Sequence, residues 1–138
     1  MPAILVDTGP LYAMADRDDD WHQRVVRFLR GCRDELIIPV AVLPEVGYLL
    51  AAHLGPKAEQ KLVRSVVTGE MSVEELTPQD LRRVLELVER YEAARIGFVD
   101  ASVVATAERL KITRILTTDR RDFSLVRPRH CKAFELLP

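Results

Sequence analysis

With 138 residues, 48% of them hydrophobic and 30% charged, the chain is long enough to bury a core and has the balance of an ordinary globular protein. No apolar run approaches the roughly 18 residues that a bilayer span requires, which argues against a membrane protein. A net charge of −1 excludes coating of nucleic acid by bulk basicity, and Cys32 and Cys131 form neither a disulfide framework nor a metal-ligand spacing, so a reduced, cytoplasmic setting is expected. No repeat, low-complexity tract or Gly/Ser-rich linker divides the chain, and one domain over residues 1–138 is expected. The opening stretch reads as a strand rather than a signal peptide: residues 3–6 are apolar, Asp7 ends the run and Gly9-Pro10 supplies a turn.

From Asp20 onward, Trp21, Val25, Phe28 and Leu29 recur at helical spacing until Gly31. Residues 36–38 form a second short strand before Pro39. Pro44 then opens a helix that turns Val46, Leu49 and Leu50 inward and ends near Gly55-Pro56. Ala58, Leu62, Val63, Val66 and Val67 mark another helix, closed by Gly69, and residues 71–76 a third strand. Thr77-Pro78 is a helix start, with Thr as N-cap and Pro in the first turn, and Leu81, Val84, Leu85, Val88 and Tyr91 give that helix its stripe. Val99, Val103, Val104, Ala107 and Leu110 stripe the next helix. Residues 114–118 form a fourth strand, and residues 132–136 an edge strand. Strands separated by helices imply a mainly parallel sheet of four to five strands in an α/β sandwich.

The acids fall where such a sheet binds ligands, beyond the carboxyl ends of its strands. Asp7 and Asp119 stand where strand runs stop. Glu45 and Asp100 stand in the first turns of their helices, where the backbone dipole favours an acid by roughly 0.3–1 kcal/mol. Taken singly, each has an ordinary explanation as a cap or a turn residue. Together they border apolar faces, since Glu45 precedes Leu49 and Asp100 precedes Val104 by one turn, and no arginine stands at a spacing that would pair with either. Carboxylates gathered beside a core repel one another and resist desolvation, and a bound cation relieves both effects. Oxygen-only ligands select hard ions such as Mg²⁺ or Mn²⁺ over zinc.

Four segments carry a resemblance that covers nearly the whole chain in order. They are Ile4-Leu5-Val6-Asp7-Thr8-Gly9-Pro10-Leu11, Pro44-Glu45, Phe98-Val99-Asp100-Ala101 and Leu116-Thr117-Thr118-Asp119-Arg120-Arg121-Asp122-Phe123. Together they resemble a PIN domain, and more narrowly the VapC toxins of toxin–antitoxin pairs. The resemblance implies a PIN-like three-layer α/β/α sandwich and a Mg²⁺-dependent endoribonuclease, with Mn²⁺ able to substitute. It also implies a small antitoxin partner and a homodimer. Asp7, Glu45, Asp100 and Asp119 fall on the acidic positions of the family motif and become the expected catalytic and metal-binding residues.

On this reading a metal held by Asp7 and Asp100 would neutralise the scissile phosphate and acidify a water. Glu45 or Asp119 would orient or deprotonate that water for in-line attack; one metal or two would serve. Thr8 and Thr117 are placed to orient water or carboxylates, and Asp122 is left outside the ligand set. Arg120 and Arg121 directly follow a site acid and are candidates for holding the RNA backbone, or else plain surface arginines. The basic stretch from Arg109 to Lys132 divides in the same way between phosphate binding and solvated surface.

His22, His53 and His130 lack ligand spacing, and Trp21 reads as core or partner packing rather than base stacking. A haloacid-dehalogenase-type phosphatase would need an acid where Gly9 stands, and a receiver domain would need a lysine after a late strand. An RNA-processing nuclease without an antitoxin, and a non-catalytic partner-binding relative, remain the alternatives.

Overall fold

The computed structural model describes residues 2–138. Five strands, β1 (Ala3–Val6), β2 (Glu35–Pro39), β3 (Ser72–Glu74), β4 (Arg114–Leu116) and β5 (Glu135–Leu137), form one parallel sheet in the order β3-β2-β1-β4-β5. The most apolar run takes the central place, since β1 alone has two strands on each side and so lies deepest between the helix layers. Ile4, Leu5 and Val6 are all buried, and Leu5 lies in register with Ile37 of β2 and Ile115 of β4.

The helices α1 (Thr8–Ala15), α2 (His22–Gly31), α3 (Val42–Leu54) and α4 (Pro56–Val67) contact one another; α5 (Pro78–Arg90) packs on α6 (Phe98–Leu110), and α6 on α7 (Arg120–Leu125). The chain steps outward from β1 to β3 through α1–α4, then returns across the sheet through α5 and α6 to reach β4. Right-handed crossovers in opposite directions set the two helix groups on opposite faces, which makes three α/β/α layers. The core between them is drawn from Val42, Val46 and Leu50 on α3, Val84 and Leu87 on α5, and Val103, Val104 and Ala107 on α6.

Polar ties fix the α5–α6 layer. Thr77 and Asp80 form a reciprocal capping box at the start of α5, and Asp80 also receives Arg109 of α6 at 3.0 Å. Arg83 of α5 pairs with Glu108 of α6 at 2.8 Å, both side chains being largely buried. Five parallel strands agree with the expected sheet, and the Thr77-Pro78 helix start falls where the sequence indicates.

The Gly9-Pro10 dipeptide does not end the strand in a turn but lies in the first turn of α1, where proline needs no N–H donor. α3 begins at Val42, ahead of Pro44, and β4 ends at Leu116 rather than Thr118. The last four residues before Asp119 therefore divide between strand and a short extended link, and a further short helix, α7, follows immediately.

Candidate active site

The strand order reverses between β1 and β4, so the chain leaves these two neighbouring strands in opposite directions and opens a crevice at their carboxyl ends. Asp7 follows β1 at once, its backbone N–H donating to Leu116 O at 3.0 Å, and serves as the residue before α1. Asp119 lies just beyond β4 and caps α7, its Oδ1 accepting from the Asp122 N–H at 3.1 Å. Glu45 and Asp100 sit in the first turns of α3 and α6.

Two threonines bind the acids. Thr117, fully buried, donates to Asp7 Oδ2 at 2.9 Å and accepts from the Asp119 N–H at 2.9 Å. Thr8 donates to Glu45 Oε1 at 2.5 Å, which ties the start of α1 to the start of α3. These two hydroxyls tie the junction of β1 and α1 to the end of β4 and to the start of α3, both distant from it in sequence.

The structure brings oxygens of Asp100, Asp119 and Asp122 within 4.8 Å of one another. Asp7 and Glu45 border this cluster rather than belong to it; the Asp7 charge helps to raise the Asp100 pKa, and Asp119 and Glu45 help to raise that of Asp7. Asp122, omitted from the sequence-based ligand set, joins Asp100 and Asp119 in this cluster. Its position had a local signal. With Asp119 as N-cap, Asp122 is the third helical residue, whose N–H the cap side chain accepts, so the two acids share one turn.

Among the described residues, Asp7, Glu45, Asp100 and Asp119 form no salt bridge. Asp7 is 4% exposed and its Oδ1 has no hydrogen-bond partner. Burial lifts its pKa from 3.8 to about 6, against the lowering effects of the Thr8 backbone and the Thr117 hydroxyl. Asp100 is pushed up to about 9, first by burial, then by the adjoining Asp122 carboxyl and the charges of Asp7 and Asp119. Arg121 pairs with Asp122 at 2.6 Å, so one cation does approach the cluster, at its outer side.

His22 and His130 each contact a backbone carbonyl, Ala13 O at 2.7 Å and Ile112 O at 2.6 Å, and none of the three histidines joins the acids. Much of the basic C-terminal stretch is paired elsewhere: Arg109 with Glu74 and Asp80, Arg114 with Asp34, Arg129 with Glu86. These features define a class: a parallel α/β protein with an oxygen-only acidic site at its switch point, suited to a hard divalent cation. A buried carboxylate oxygen without a partner, beside an Asp100 carboxyl whose pKa is raised first by burial and then by its acidic neighbours, is the chemistry such a cation satisfies.

The chain belongs to the PIN domain family, whose model matches residues 4–127, from β1 through α7. It is 30% identical over 135 residues to Ribonuclease VapC26 of Mycobacterium tuberculosis, covering 98% of this chain and 100% of that one. The fold is similar to that of VapC20 from Mycobacterium tuberculosis, a Sarcin-Ricin loop cleaving toxin, with a TM-score of 0.80 at 23% identity, over 86% of this chain and 91% of that one. It is also similar to a toxin–antitoxin complex from Klebsiella pneumoniae, with a TM-score of 0.65 at 15% identity, over 89% of this chain and 92% of that one. Nucleases of this family are in general dependent on divalent metals, and the acidic cluster here provides matching donors.

Proposed function

We propose that this chain is a Mg²⁺-dependent endoribonuclease, with Mn²⁺ able to substitute, acting as the cytoplasmic toxin of a type II toxin–antitoxin pair. The observation that carries the reading is the acidic cluster at the switch point, approached by Arg121 only through Asp122, with an orphaned oxygen on buried Asp7. The full-length relationship to Ribonuclease VapC26 supports RNA as the substrate. Likeness to the Klebsiella pneumoniae toxin–antitoxin complex supports a small antitoxin as partner. We read residues 1–138 as a single domain, since one sheet and its covering helices take up the described chain.

Asp7, Asp100 and Asp119 would hold the metal, with Asp122 close enough to support it. When bound, the metal supplies positive charge at the scissile phosphate and acidity for the attacking water. Glu45 is the best placed to orient that water and accept its proton. It is exposed and held only through Thr8, whereas one oxygen of Asp119 is occupied in capping α7. Thr117 keeps Asp7 and the Asp119 backbone in a fixed relation, so the two strand ends present their carboxylates as one unit. In-line attack then breaks the bond from phosphorus to a sugar oxygen.

Exposed apolar side chains offer partner surface: Tyr48 on α3 with Val63 and Val67 on α4, and Leu81 with Leu85 on α5. Val66, by contrast, packs against the core. We assign these faces to the antitoxin and to a homodimer contact.

Purified protein should cleave RNA in Mg²⁺ or Mn²⁺, stop in excess chelator, and stay inactive as Asp7→Asn or Asp100→Asn. Full cleavage in chelator would remove the metal from the reaction. A chain that cleaves RNA but neither co-purifies with nor is restrained by the product of a small neighbouring gene would be an RNA-processing nuclease instead. A folded chain that binds that product and never cleaves would be the non-catalytic relative.

A further inference from the structure

Trp21 precedes α2, in a part of the chain remote in sequence from the carboxylates, yet two guanidinium groups converge on its ring. Arg24 lies 3.8 Å from the ring centre, and Arg120 lies 5.6 Å from it. Arg120 is the first residue of α7 and directly follows Asp119, so the start of α2 reaches the rim of the acidic site. Both arginines are exposed, and among the described residues neither forms a salt bridge.

The neighbouring cations behave differently. Arg121 pairs with Asp122 and donates to Ala94 O, so its donors serve the protein. Of the acids before Trp21, Asp16 accepts from Tyr12 and from the Asp18 N–H and Asp19 accepts from the Trp21 N–H, while Asp18 and Asp20 are exposed. Arg120 donates one hydrogen bond, to the backbone oxygen of Pro138, and most of its five donors have no protein partner. Two guanidinium groups held on one indole carry like charge, and a phosphate that contacts both relieves their repulsion.

We propose that Arg24 and Arg120, held in place by Trp21, form a phosphate-binding subsite that grips the RNA backbone beside the carboxylates and sets the register of the strand. The inference rests on the ribonuclease reading. Cation–π contact fixes the two guanidinium groups before RNA arrives, so less side-chain entropy is lost on binding. The acidic cluster alone would repel a phosphodiester, and a cationic grip on its rim offsets this. Trp21 and both arginines are positioning residues.

Trp21 is the single tryptophan of the sequence, so its fluorescence reports on this subsite alone. Wild-type protein would be titrated with a short single-stranded RNA in chelator, and labelled RNA would measure affinity of variants at several salt concentrations. Trp21 emission should change saturably. R24A and R120A should each bind several-fold more weakly and lower the slope of log affinity against log salt by about 0.7. W21A should lower it by about twice that, while W21F should restore most of the affinity. Labelled RNA that binds without moving Trp21 emission, or variants with the wild-type salt slope, would overturn the subsite. Variants that lose only the antitoxin while binding RNA normally would overturn it too, in favour of a protein-docking role. A wild type that neither binds nor cleaves any RNA would bring down the ribonuclease reading along with it. Both arginines are exposed, and matching melting curves would show that the variants remain folded.

Discussion

Thr117 has no exposure to solvent, yet its hydroxyl serves two groups of the acidic site at once, Asp7 Oδ2 and the Asp119 N–H. Thr117→Val keeps the shape and removes both bonds, leaving a buried donor and acceptor less satisfied, at about 1–3 kcal/mol. Groups that orient metal-binding side chains usually change activity or metal affinity by about 10–100-fold, and a loss of that order is expected here. Cleavage rates over a metal titration would check it; wild-type activity at every concentration would mean that Asp7 needs no orienting bond.

The aspartates themselves predict a pH dependence. In chelator the folded-state pKa values of Asp7, about 6, and Asp100, about 9, both exceed the ordinary 3.8. The folded chain then binds more protons than the unfolded chain across this interval, so stability falls as pH rises through it. For Asp7 the loss amounts to about 3 kcal/mol, at about 1.4 kcal/mol per pKa unit. At the acid end the trend reverses, because Glu108, whose pKa is lowered in its pair with Arg83 despite its burial, loses that pair on protonation. Denaturant melts of metal-free protein should show this slope, and Asp7→Asn should flatten its lower part. Stability that climbs steadily from acid to neutral pH would contradict the crowding of these carboxyls.

Among the elements, α1 depends on a close approach. A Cβ on Gly9 would stand 2.0 Å from Thr118 Oγ1 and 3.1 Å from its Cβ. The Thr118 hydroxyl can swing aside, but its Cβ moves only with the backbone next to Asp119. Gly9→Ala should therefore displace the link between β4 and α7, reducing cleavage by more than tenfold, with a loss of about 1–3 kcal/mol of stability from overpacking. Activity and thermal melting on the same preparation would test this. A variant as active as wild type would show that the link yields without moving Asp119.

At the scale of the whole molecule, the metal and the fold are coupled through repulsion that reaches from β1 and β4 to α6. Asp100→Asn removes a carboxyl that burial and its acidic neighbours make costly to ionise, so the metal-free variant should melt a few degrees above wild type at neutral pH, by about 4 °C per kcal/mol. The same change should weaken the stabilisation by Mg²⁺, which for wild type at 100 times its dissociation constant is about 2.7 kcal/mol. Calorimetry with and without Mg²⁺ separates a shared site from independent caps. Caps alone would give a variant that melts lower in chelator and is stabilised by Mg²⁺ as much as wild type.

The elements legible from sequence were those set by near neighbours. The buried run of β1, the Thr77–Asp80 capping box and the apolar stripe of α6 depend on residues a few positions apart, and a linear reading captures them. The first turn of α1 was not legible, because Gly9-Pro10 has the local signature of a turn and its helical role rests on packing against Thr118 across the sheet. The acidic residues stood out as types and as strand or helix ends. Their grouping depends on β1 lying beside β4, which strand order alone decides. Asp122 and Arg121 show the same division: sequence placed both beside Asp119, while the turn of α7 directed one carboxylate into the cluster and tied the arginine to it. Arg120 faces a tryptophan that only tertiary contact could bring to it, because hydrophobic periodicity encodes which face of an element is buried but not which distant side chain meets it there.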